Sequence, residues 1–163
     1  MLNKTIPNVM FRLTALGGTF DIIHIGHLIL IEKAISISEK IIIGLTSDSF
    51  IVKNGKTITN NFEQRFKNLE KTIHEKFPDC SFEIAELDDD FGPAVIEGAV
   101  DALVVSNETS EKGDILNALR KERKLDPVEI IIVPMKMASD GNRISSTRIR
   151  NSEIDSSGNI LVD

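Results

Sequence analysis

Short apolar runs rich in β-branched residues alternate with longer stretches of helical periodicity along this chain. The uninterrupted run IIIGL at residues 41–45 is typical of a strand buried on both faces of a sheet. Strands that alternate with helices pair in parallel through right-handed crossovers. The sequence therefore predicts an α/β fold, a single Rossmann-like, doubly wound domain with a five-stranded parallel sheet. The predicted strands cover residues 11–16, 41–45, 81–87, 102–105 and 129–133, and the predicted helices cover residues 28–39, 60–76, a segment from Pro93, 112–123 and 145–150.

Length and composition limit the classes of function. The 163 residues fit one domain, residues 11–150, between an N-terminal extension, residues 1–10, and a polar, loosely held tail, residues 151–163. With 19 Lys and Arg against 25 Asp and Glu, the chain lacks the basic balance of a general nucleic-acid binder. Cys80 is the only cysteine, and no apolar run approaches the ~20 residues of a membrane helix. We expect a cytoplasmic protein with neither nucleic acid nor a membrane as its partner.

Ligands of doubly wound sheets bind beyond the carboxyl ends of the strands, so the segment after the first strand is the most informative. It reads GGTFDIIHIGH at residues 17–27 and matches neither a dinucleotide fingerprint nor a Walker-type phosphate loop. The glycines let the backbone approach a ligand closely. His24 and His27 lie where a helix begins, and the N–H groups and dipole at a helix N-terminus favour a phosphate. Two metal ligands are the alternative, although only Asp21 is nearby as a third.

This segment resembles the signature G-T-F-D-x-x-H-x-G-H of the nucleotidylyltransferase superfamily, the HIGH motif shared with class I aminoacyl-tRNA synthetases. A second segment, ISSTR at residues 144–148, resembles the I-S-S-T-[RK] motif of the same superfamily and follows about 120 residues later. Two motifs in this order are more specific than either motif alone. The resemblance covers residues 11–150.

Within the superfamily, the chain is most similar to the phosphopantetheine adenylyltransferases of the archaeal and eukaryotic type. Residues 17–21 carry the G-G-T-F-D form, and VVSNET at residues 104–109 resembles V-V-S-x-E-T, with Asn107 departing from an expected acidic residue. The resemblance implies transfer of AMP from ATP to 4′-phosphopantetheine, which gives dephospho-coenzyme A and pyrophosphate. It also implies Mg²⁺ that accompanies ATP without a metal site on the protein, and coenzyme A as a possible inhibitor.

The resemblance assigns roles to the matching positions. Thr19 is expected to hold the attacking phosphate, His27 to bind the α-phosphate, and His24 to contact the adjoining ATP phosphates. Lys53 or Lys56, in the loop after the second strand, is expected to bind the phosphate of the acceptor. The expected catalytic residues are therefore Thr19, His24, His27, Lys53 and Arg148. The expected ATP-binding residues are Gly17, Gly18, Thr19, Phe20, His24, Gly26, His27, Ser106, Glu108, Thr109, Ser145, Ser146, Thr147 and Arg148.

Some of these positions also have a purely structural interpretation. Residues 145–147 either bind the β- and γ-phosphates or cap the last helix. The polar residues at 106–109 either contact adenine and ribose or form a helix cap. We expect Asp21 to orient its turn and Arg150 to face solvent. Arg65 is expected to be a buried structural charge or a wall of the pantetheine pocket.

Two other functions stay open. A cytidylyltransferase acting on glycerol 3-phosphate or a similar alcohol phosphate would share the fold and the first motif. That branch more often carries R-T-x-G-I-S-T-T at the second motif, whereas this chain has GNRISSTR at residues 141–148. A nucleotide-binding sensor without catalysis would share the binding residues, but the intact Thr19, His24, His27 and Arg148 argue against it.

Overall fold

A computed structural model describes residues 11–92 and 98–161 of the chain. The N-terminal extension and the helix expected from Pro93 lie outside the described residues. The strands are β1 (Phe11–Gly18), β2 (Ser38–Thr46), β3 (Phe82–Leu87), β4 (Ala102–Ser106) and β5 (Glu129–Val133). The helices are α1 (Ile25–Ser36), α2 (Asp48–Lys53), α3 (Phe62–Lys76), α4 (Glu111–Glu122) and α5 (Ser146–Arg150). None of the helices in the described ranges is long and apolar enough to cross a membrane.

The five strands form one parallel sheet with the order β3-β2-β1-β4-β5. Strand β1 lies at the centre, and the chain first builds outward through β2 and β3 before it crosses to β4 and β5. The direction of winding therefore reverses between β1 and β4. Ligands of open α/β sheets bind at such a switch point. The predicted doubly wound fold with five parallel strands is confirmed.

Apolar cores cover both faces of the sheet. Ile41, Ile43 and Leu45 of β2 are buried on one face, in a core that also contains residues of α1 and α3. Ile42 lies in the core on the other face, together with Leu116 of α4. Because alternate β2 side chains enter opposite cores, the positions from Ile41 to Leu45 take apolar residues or glycine. This explains the uninterrupted run that predicted the strand.

Local capping sets where the helices begin. Asn61 and Gln64 cap α3 reciprocally, each side-chain oxygen accepting the other residue's backbone N–H at 2.9 Å. The predicted start of α1 at residue 28 is three residues late, because the His24 side chain caps this helix. Its predicted end is also late, since residues 38 and 39 belong to β2. The polar loop after β2 contains the unpredicted helix α2, which Ser47 caps by accepting the N–H of Phe50 at 3.1 Å.

The C-terminal tail is packed onto the domain, and the prediction that it is loosely held is wrong over residues 151–161. Ile154 is fully buried against Ala138 and Ile144, and forms a small third core with them. Ile25 and Ile149 pack against this core. The tail therefore belongs to the part of the fold that carries both sequence motifs.

Candidate active site

A cleft of about 1140 Å³ opens at the carboxyl edge of the sheet, where the switch point lies. Its walls come from the turn after β1, the start of α1, the segment after α2, the ends of β3 and β4, and the segment leading into α5. Most of the expected site residues line it, namely Gly17, Gly18, Thr19, Phe20, His24, His27, Lys56, Ser106, Thr109, Ser145, Ser146 and Thr147. Four expected site residues lie outside this lining: Gly26, Lys53, Glu108 and Arg148.

His24 and His27 hold each other and the start of α1 in place. The Nδ1 atom of His24 accepts the backbone N–H of Gly26 at 3.1 Å, and Nδ1 of His27 accepts the backbone N–H of His24 at 3.1 Å. The two rings stack with their centroids 3.8 Å apart. Because each Nδ1 is an acceptor, each neutral ring carries its proton on Nε2. The pair therefore keeps two Nε2–H groups available as donors to a ligand in the cleft.

Both imidazoles are neutral near pH 7. Burial lowers the pKa of His24 to about 4, and the nearby charge of Arg143 contributes to the shift. Burial also lowers the pKa of His27 to about 3, and the neighbouring His24 adds to it. The pair can therefore donate hydrogen bonds to a phosphate without carrying positive charge.

Phe20 supports His27 from a strained backbone position. Its φ of 49° lies in the left-handed region, and its side chain is only 1% exposed. Such a conformation costs a residue with a bulky side chain about 1–3 kcal/mol and persists only where surrounding packing requires it. The Phe20 ring lies 4.7 Å from the His27 ring and so close to Gly18 that a Cβ there would be 3.1 Å from Cε2. The strained turn thus fixes the orientation of His27.

The N-terminus of α1 does not offer the free N–H groups that the sequence suggested. The N–H of Ile25 donates to the carbonyl of Ser156 at 2.9 Å, and the N–H of His27 donates to the carbonyl of His24 at 3.0 Å. The N–H of Gly26 is taken by His24. The expectation is therefore wrong, because the tail and the histidine cap satisfy the first turn. The imidazole donors and the helix dipole are what this end of α1 presents to an anion.

Thr19 is fixed at its side chain and at its backbone. The hydroxyl of Thr46 donates to Oγ1 of Thr19 at 3.2 Å, which leaves the hydroxyl proton of Thr19 for a ligand. The carbonyl of Thr19 accepts from the Arg65 guanidinium at 2.9 Å. The hydroxyl therefore enters the cleft on a rigid support.

Arg65 is a buried structural charge and not a wall of the cleft. Its side chain is fully buried, and it also donates to the carbonyl of Asn60 at 3.0 Å and to Asp48 at 2.8 Å. These bonds join the turn after β1 to α2 and to the segment before α3. Of its two expected interpretations, the structural one is confirmed.

Asp21 joins three segments beside the cleft, as expected for a residue that orients the turn. Its carboxylate accepts the N–H groups of Thr59 at 2.8 Å and Asn60 at 2.9 Å, and it pairs with Arg150 at 2.6 Å. Burial alone would raise the pKa of Asp21, but these bonds outweigh burial and lower it. Because Arg150 is held here and lines the cleft, the prediction that it faces solvent is wrong.

The two lysines after β2 occupy different positions. Lys53 is the last residue of α2, is exposed, and lies outside the cleft lining. Lys56 lies three residues further on and lines the cleft. The structure thus favours Lys56 over Lys53 for contact with a bound anion.

The second motif is hydrogen-bonded directly to the first. The Ser145 hydroxyl accepts the N–H of Arg148 at 3.2 Å and so caps α5. The Ser146 hydroxyl donates to the carbonyl of Ile22 at 3.1 Å and lies 3.2 Å from its N–H. The expected capping role of this segment is present, and its hydroxyls also line the cleft.

Arg148 is fastened away from the cleft. Its guanidinium donates to Asp140 at 2.5 Å, to Glu153 at 3.1 Å and to the carbonyl of Arg143 at 2.9 Å. The hydrogen bond from Arg148 is the main reason that the pKa of Asp140 falls to about 2. The expected contact between Arg148 and ATP has no support in this geometry.

The arginines that line the cleft are Arg143 and Arg150, and neither was an expected site residue. Both flank the second motif, which was the only signal for them in the sequence. Arg143 pairs with Glu108 at 3.1 Å, so Glu108 reaches the site through this arginine. Among the described residues, the cations that line the cleft are Lys56, Lys112, Arg143 and Arg150, and each of the two arginines is paired with a carboxylate.

The end of β4 forms a compact polar turn. The hydroxyls of Ser106 and Thr109 lie 3.1 Å apart, and the N–H of Glu108 donates to Ser106 Oγ at 3.3 Å. Asn107 Oδ1 accepts the N–H of Met135 at 3.1 Å. Asn107 therefore links the end of β4 to the segment after β5. This is a structural role for the position where the chain departs from the family pattern.

The wall formed by the end of β3 and the segment after it has the opposite charge. Glu86, Asp89 and Asp90 line it beside the apolar Leu87 and Phe91. Carboxylates disfavour a phosphate there by like-charge repulsion. Across residues 11–92 and 98–161, no three His, Cys, Asp or Glu side chains are grouped as a metal site.

Comparison with known proteins identifies relatives along almost the whole chain. Residues 15–152 match the cytidylyltransferase-like family. The phosphopantetheine adenylyltransferase of Methanothermobacter thermautotrophicus is 41% identical over 151 residues, which cover 93% of this chain and 90% of that protein. The phosphopantetheine adenylyltransferase of Methanosarcina acetivorans is 43% identical over 146 residues, which cover 88% and 92%.

A solved structure has the same fold. It is a crystal structure of an Archaeoglobus fulgidus protein of unknown function, with a TM-score of 0.67 and 31% sequence identity. The alignment covers 74% of this chain and 87% of the other. The matched region of the family includes both motifs that line the cleft. The chain therefore belongs to the archaeal-type phosphopantetheine adenylyltransferases, which are nucleotidyltransferases of the cytidylyltransferase-like family.

Proposed function

We propose that this nucleotidyltransferase transfers AMP from ATP to 4′-phosphopantetheine and releases pyrophosphate and dephospho-coenzyme A. The observation that carries the proposal is the pair of neutral, Nδ1-anchored histidines, His24 and His27, beside the fixed hydroxyl of Thr19. The family relatives supply the identity of the two substrates.

The chemistry needs positioning and charge stabilisation more than proton transfer. An oxygen of the acceptor phosphate attacks the α-phosphorus of ATP and a new P–O bond forms. The bond between the α-phosphorus and the α,β-bridging oxygen breaks, and that oxygen leaves with pyrophosphate. Because the attacking phosphate is already ionised, no general base is required. Preorganised donors aimed at the reacting phosphates lower the barrier.

The donors divide between the two substrates. In this proposal Nε2–H of His27 binds the α-phosphate as its charge grows, and His24 binds the adjoining ATP phosphates. Thr19 and Lys56 hold the acceptor phosphate. The segment 145–147 and the two cleft arginines face the β- and γ-phosphates, and the turn after β4 receives adenosine. This assignment replaces Lys53 with Lys56 and Arg148 with Arg143 and Arg150.

The charge distribution of the cleft orients the acceptor. Phosphates are favoured at the end that carries Lys56 and the arginines. The neutral pantetheine arm, with its amide N–H groups and apolar carbons, suits the wall of Glu86, Asp89, Leu87 and Phe91. Mg²⁺ enters with ATP, held by phosphate oxygens and water. Coenzyme A, which contains the product, would compete for the same cleft.

Pyrophosphate release tests the proposal. The wild type is assayed with Mg²⁺-ATP and 4′-phosphopantetheine, and in parallel with Mg²⁺-CTP and glycerol 3-phosphate. Release with the first pair alone is the expected result. Release with the second pair alone would instead assign the chain to cytidylyl transfer. ATP binding without release from either pair would favour a nucleotide sensor.

A histidine series separates catalysis from binding. His27→Ala removes a donor to the developing charge, and we expect kcat to fall by ~10²-fold to 10³-fold while the Kd of ATP changes little. His27→Gln keeps an acceptor for the helix cap and an N–H donor, so its kcat should fall less than that of His27→Ala. Equal ATP affinity and equal turnover in all three proteins would contradict the proposed role.

A further inference from the structure

The C-terminal hairpin, residues 153–161, is an ordered element outside the cleft. Ile154 and Ile160 form an antiparallel bridge, and the N–H of Leu161 donates to the carbonyl of Glu153 at 3.0 Å. The Asp155 carboxylate closes the turn by accepting the N–H groups of Ser157 and Asn159, both at 2.9 Å. The described residues that line the cleft end at Asn151, so no residue of the hairpin takes part in the lining.

The hairpin touches the residues next to both motifs. The carbonyl of Ser156 accepts the N–H of Ile25, the residue after His24, at 2.9 Å. The fully buried Ile154 packs against Ile144, the residue before Ser145. One short element therefore contacts the first turn of α1 and the entrance to α5, which carry the two motifs.

Arg148 fastens this arrangement. It reaches Glu153 at the base of the hairpin, and Asp140 and the Arg143 carbonyl in the segment before α5. The carbonyl of Arg148 also accepts the N–H of Glu153 at 2.9 Å. All three guanidinium nitrogens donate to protein acceptors, and Arg148 lies outside the cleft lining.

We infer that the C-terminal hairpin and Arg148 form a brace that sets the position of the first motif, with His24 and His27, relative to the second motif. Arg148 is then a positioning residue and not a phosphate ligand. The inference rests on the proposed function, because positioning matters where two substrates must be aligned. In aligned reactions a displacement of about 1 Å, even one caused far from the reacting atoms, can reduce the rate by about 100-fold.

Gly158 offers a direct way to disturb the brace. Its φ is +87°, and an added Cβ would lie 2.6 Å from Cδ1 of Ile144. Gly141 is a matched control, since its φ is +82° but an added Cβ would meet nothing within 4 Å. Both alanine variants carry the same kind of backbone strain, and only Gly158→Ala presses on the residue before Ser145.

The glycine pair gives the first test. We expect Gly158→Ala to lower kcat by ~10-fold or more with the Kd of ATP within about twofold, and Gly141→Ala to change kcat by less than about threefold. Thermal unfolding of both variants shows whether the fold is intact. Equal kcat in the two folded variants would overturn the inference.

The fastening residues give the second test. A double-mutant cycle compares Arg148→Gln, Glu153→Gln and the double variant. If both residues act through one brace, breaking either of them disrupts it, and the double variant should be no slower than the slower single variant. A phosphate-binding Arg148 predicts the contrary: Arg148→Gln alone would raise the Kd of ATP, and Glu153→Gln would leave kcat unchanged. That result would overturn the inference.

The closing experiment does not depend on turnover. Histidine side-chain ¹⁵N NMR of the full chain reports the Nδ1 hydrogen bonds of His24 and His27, with His74, which packs against Phe82, as an internal reference. We expect Gly158→Ala and Glu153→Gln to shift the His24 and His27 signals and to leave His74 in place. Unshifted His24 and His27 signals in both variants would contradict the brace. This outcome does not depend on whether the wild type adenylylates 4′-phosphopantetheine.

Discussion

The neutral histidine pair makes a quantitative prediction about stability at low pH. An unfolded histidine has a pKa near 6.5, whereas burial lowers the pKa to about 4 for His24 and to about 3 for His27. Between these values the unfolded state binds more protons than the folded state. Stability therefore falls as the pH decreases below 6.5, and keeps falling until each folded-state pKa is reached.

The size of the loss follows from the two shifts. Each unmatched proton changes the free energy of unfolding by about 1.4 kcal/mol per pH unit. Lowering the pH from 8 to 5 therefore removes about 2 kcal/mol for each histidine, and about 4 kcal/mol for the pair. The loss is large for a domain whose total stability is of the order of 5–15 kcal/mol.

Urea unfolding at pH 8 and pH 5 measures this loss. The comparison protein is His27→Gln, because α3 already uses a Gln at the matching position of its own cap. All other titrating groups are present in both proteins, so their contributions largely cancel. We expect the variant to lose about 2 kcal/mol less than the wild type over this range. Equal losses would refute the reasoning, because His27 would then titrate in the folded protein much as it does when unfolded.

Three further predictions follow from the contacts of named residues. Lys56→Ala should raise the KM for 4′-phosphopantetheine by ~10-fold and Lys53→Ala by less than about twofold, because of the two only Lys56 lines the cleft. Steady-state kinetics that show the larger effect for Lys53→Ala would support Lys53 as the phosphate-binding lysine. Arg65→Leu should lower the free energy of unfolding by about 3 kcal/mol or more, as the carbonyls of Thr19 and Asn60 and the carboxylate of Asp48 lose their partner, and an unchanged urea midpoint would contradict that. Ile154→Ala should lower the free energy of unfolding by about 2–5 kcal/mol, because it leaves a cavity in the core. Ile132→Ala, at a side chain that is 53% exposed, should lower it by less than about 0.5 kcal/mol. Similar losses in urea unfolding of the two variants would mean that the tail is not part of the core.

The regular part of the fold was predictable from apolar patterning. The apolar run of β2 identifies a central strand because both of its faces are buried. Element boundaries were less accurate where an unusual cap decides them. Histidine is not a common N-cap residue, and the early start of α1 depends on the His24–His27 arrangement, which propensity does not encode.

The positions of the charged side chains were the least predictable part of the site. Arg148 and Arg150 lie two residues apart on one short helix, so they leave it in different directions, and no local pattern tells which one enters the cleft. Tertiary partners decide: Asp140 and Glu153 hold Arg148, whereas Asp21 holds Arg150. The tail was missed because its buried residue, Ile154, lies among polar neighbours and shows no periodicity.

The most direct test of adenylyl transfer is a single-turnover reaction with enzyme in excess over Mg²⁺-ATP. The product formed with 4′-phosphopantetheine is identified by mass spectrometry for the wild type and for His27→Ala at equal ATP occupancy. We expect the wild type to form dephospho-coenzyme A, and the variant to form it ~10²-fold or more slowly. No dephospho-coenzyme A when all of the ATP is bound to the wild type, or equal rates in the two proteins, would contradict this account.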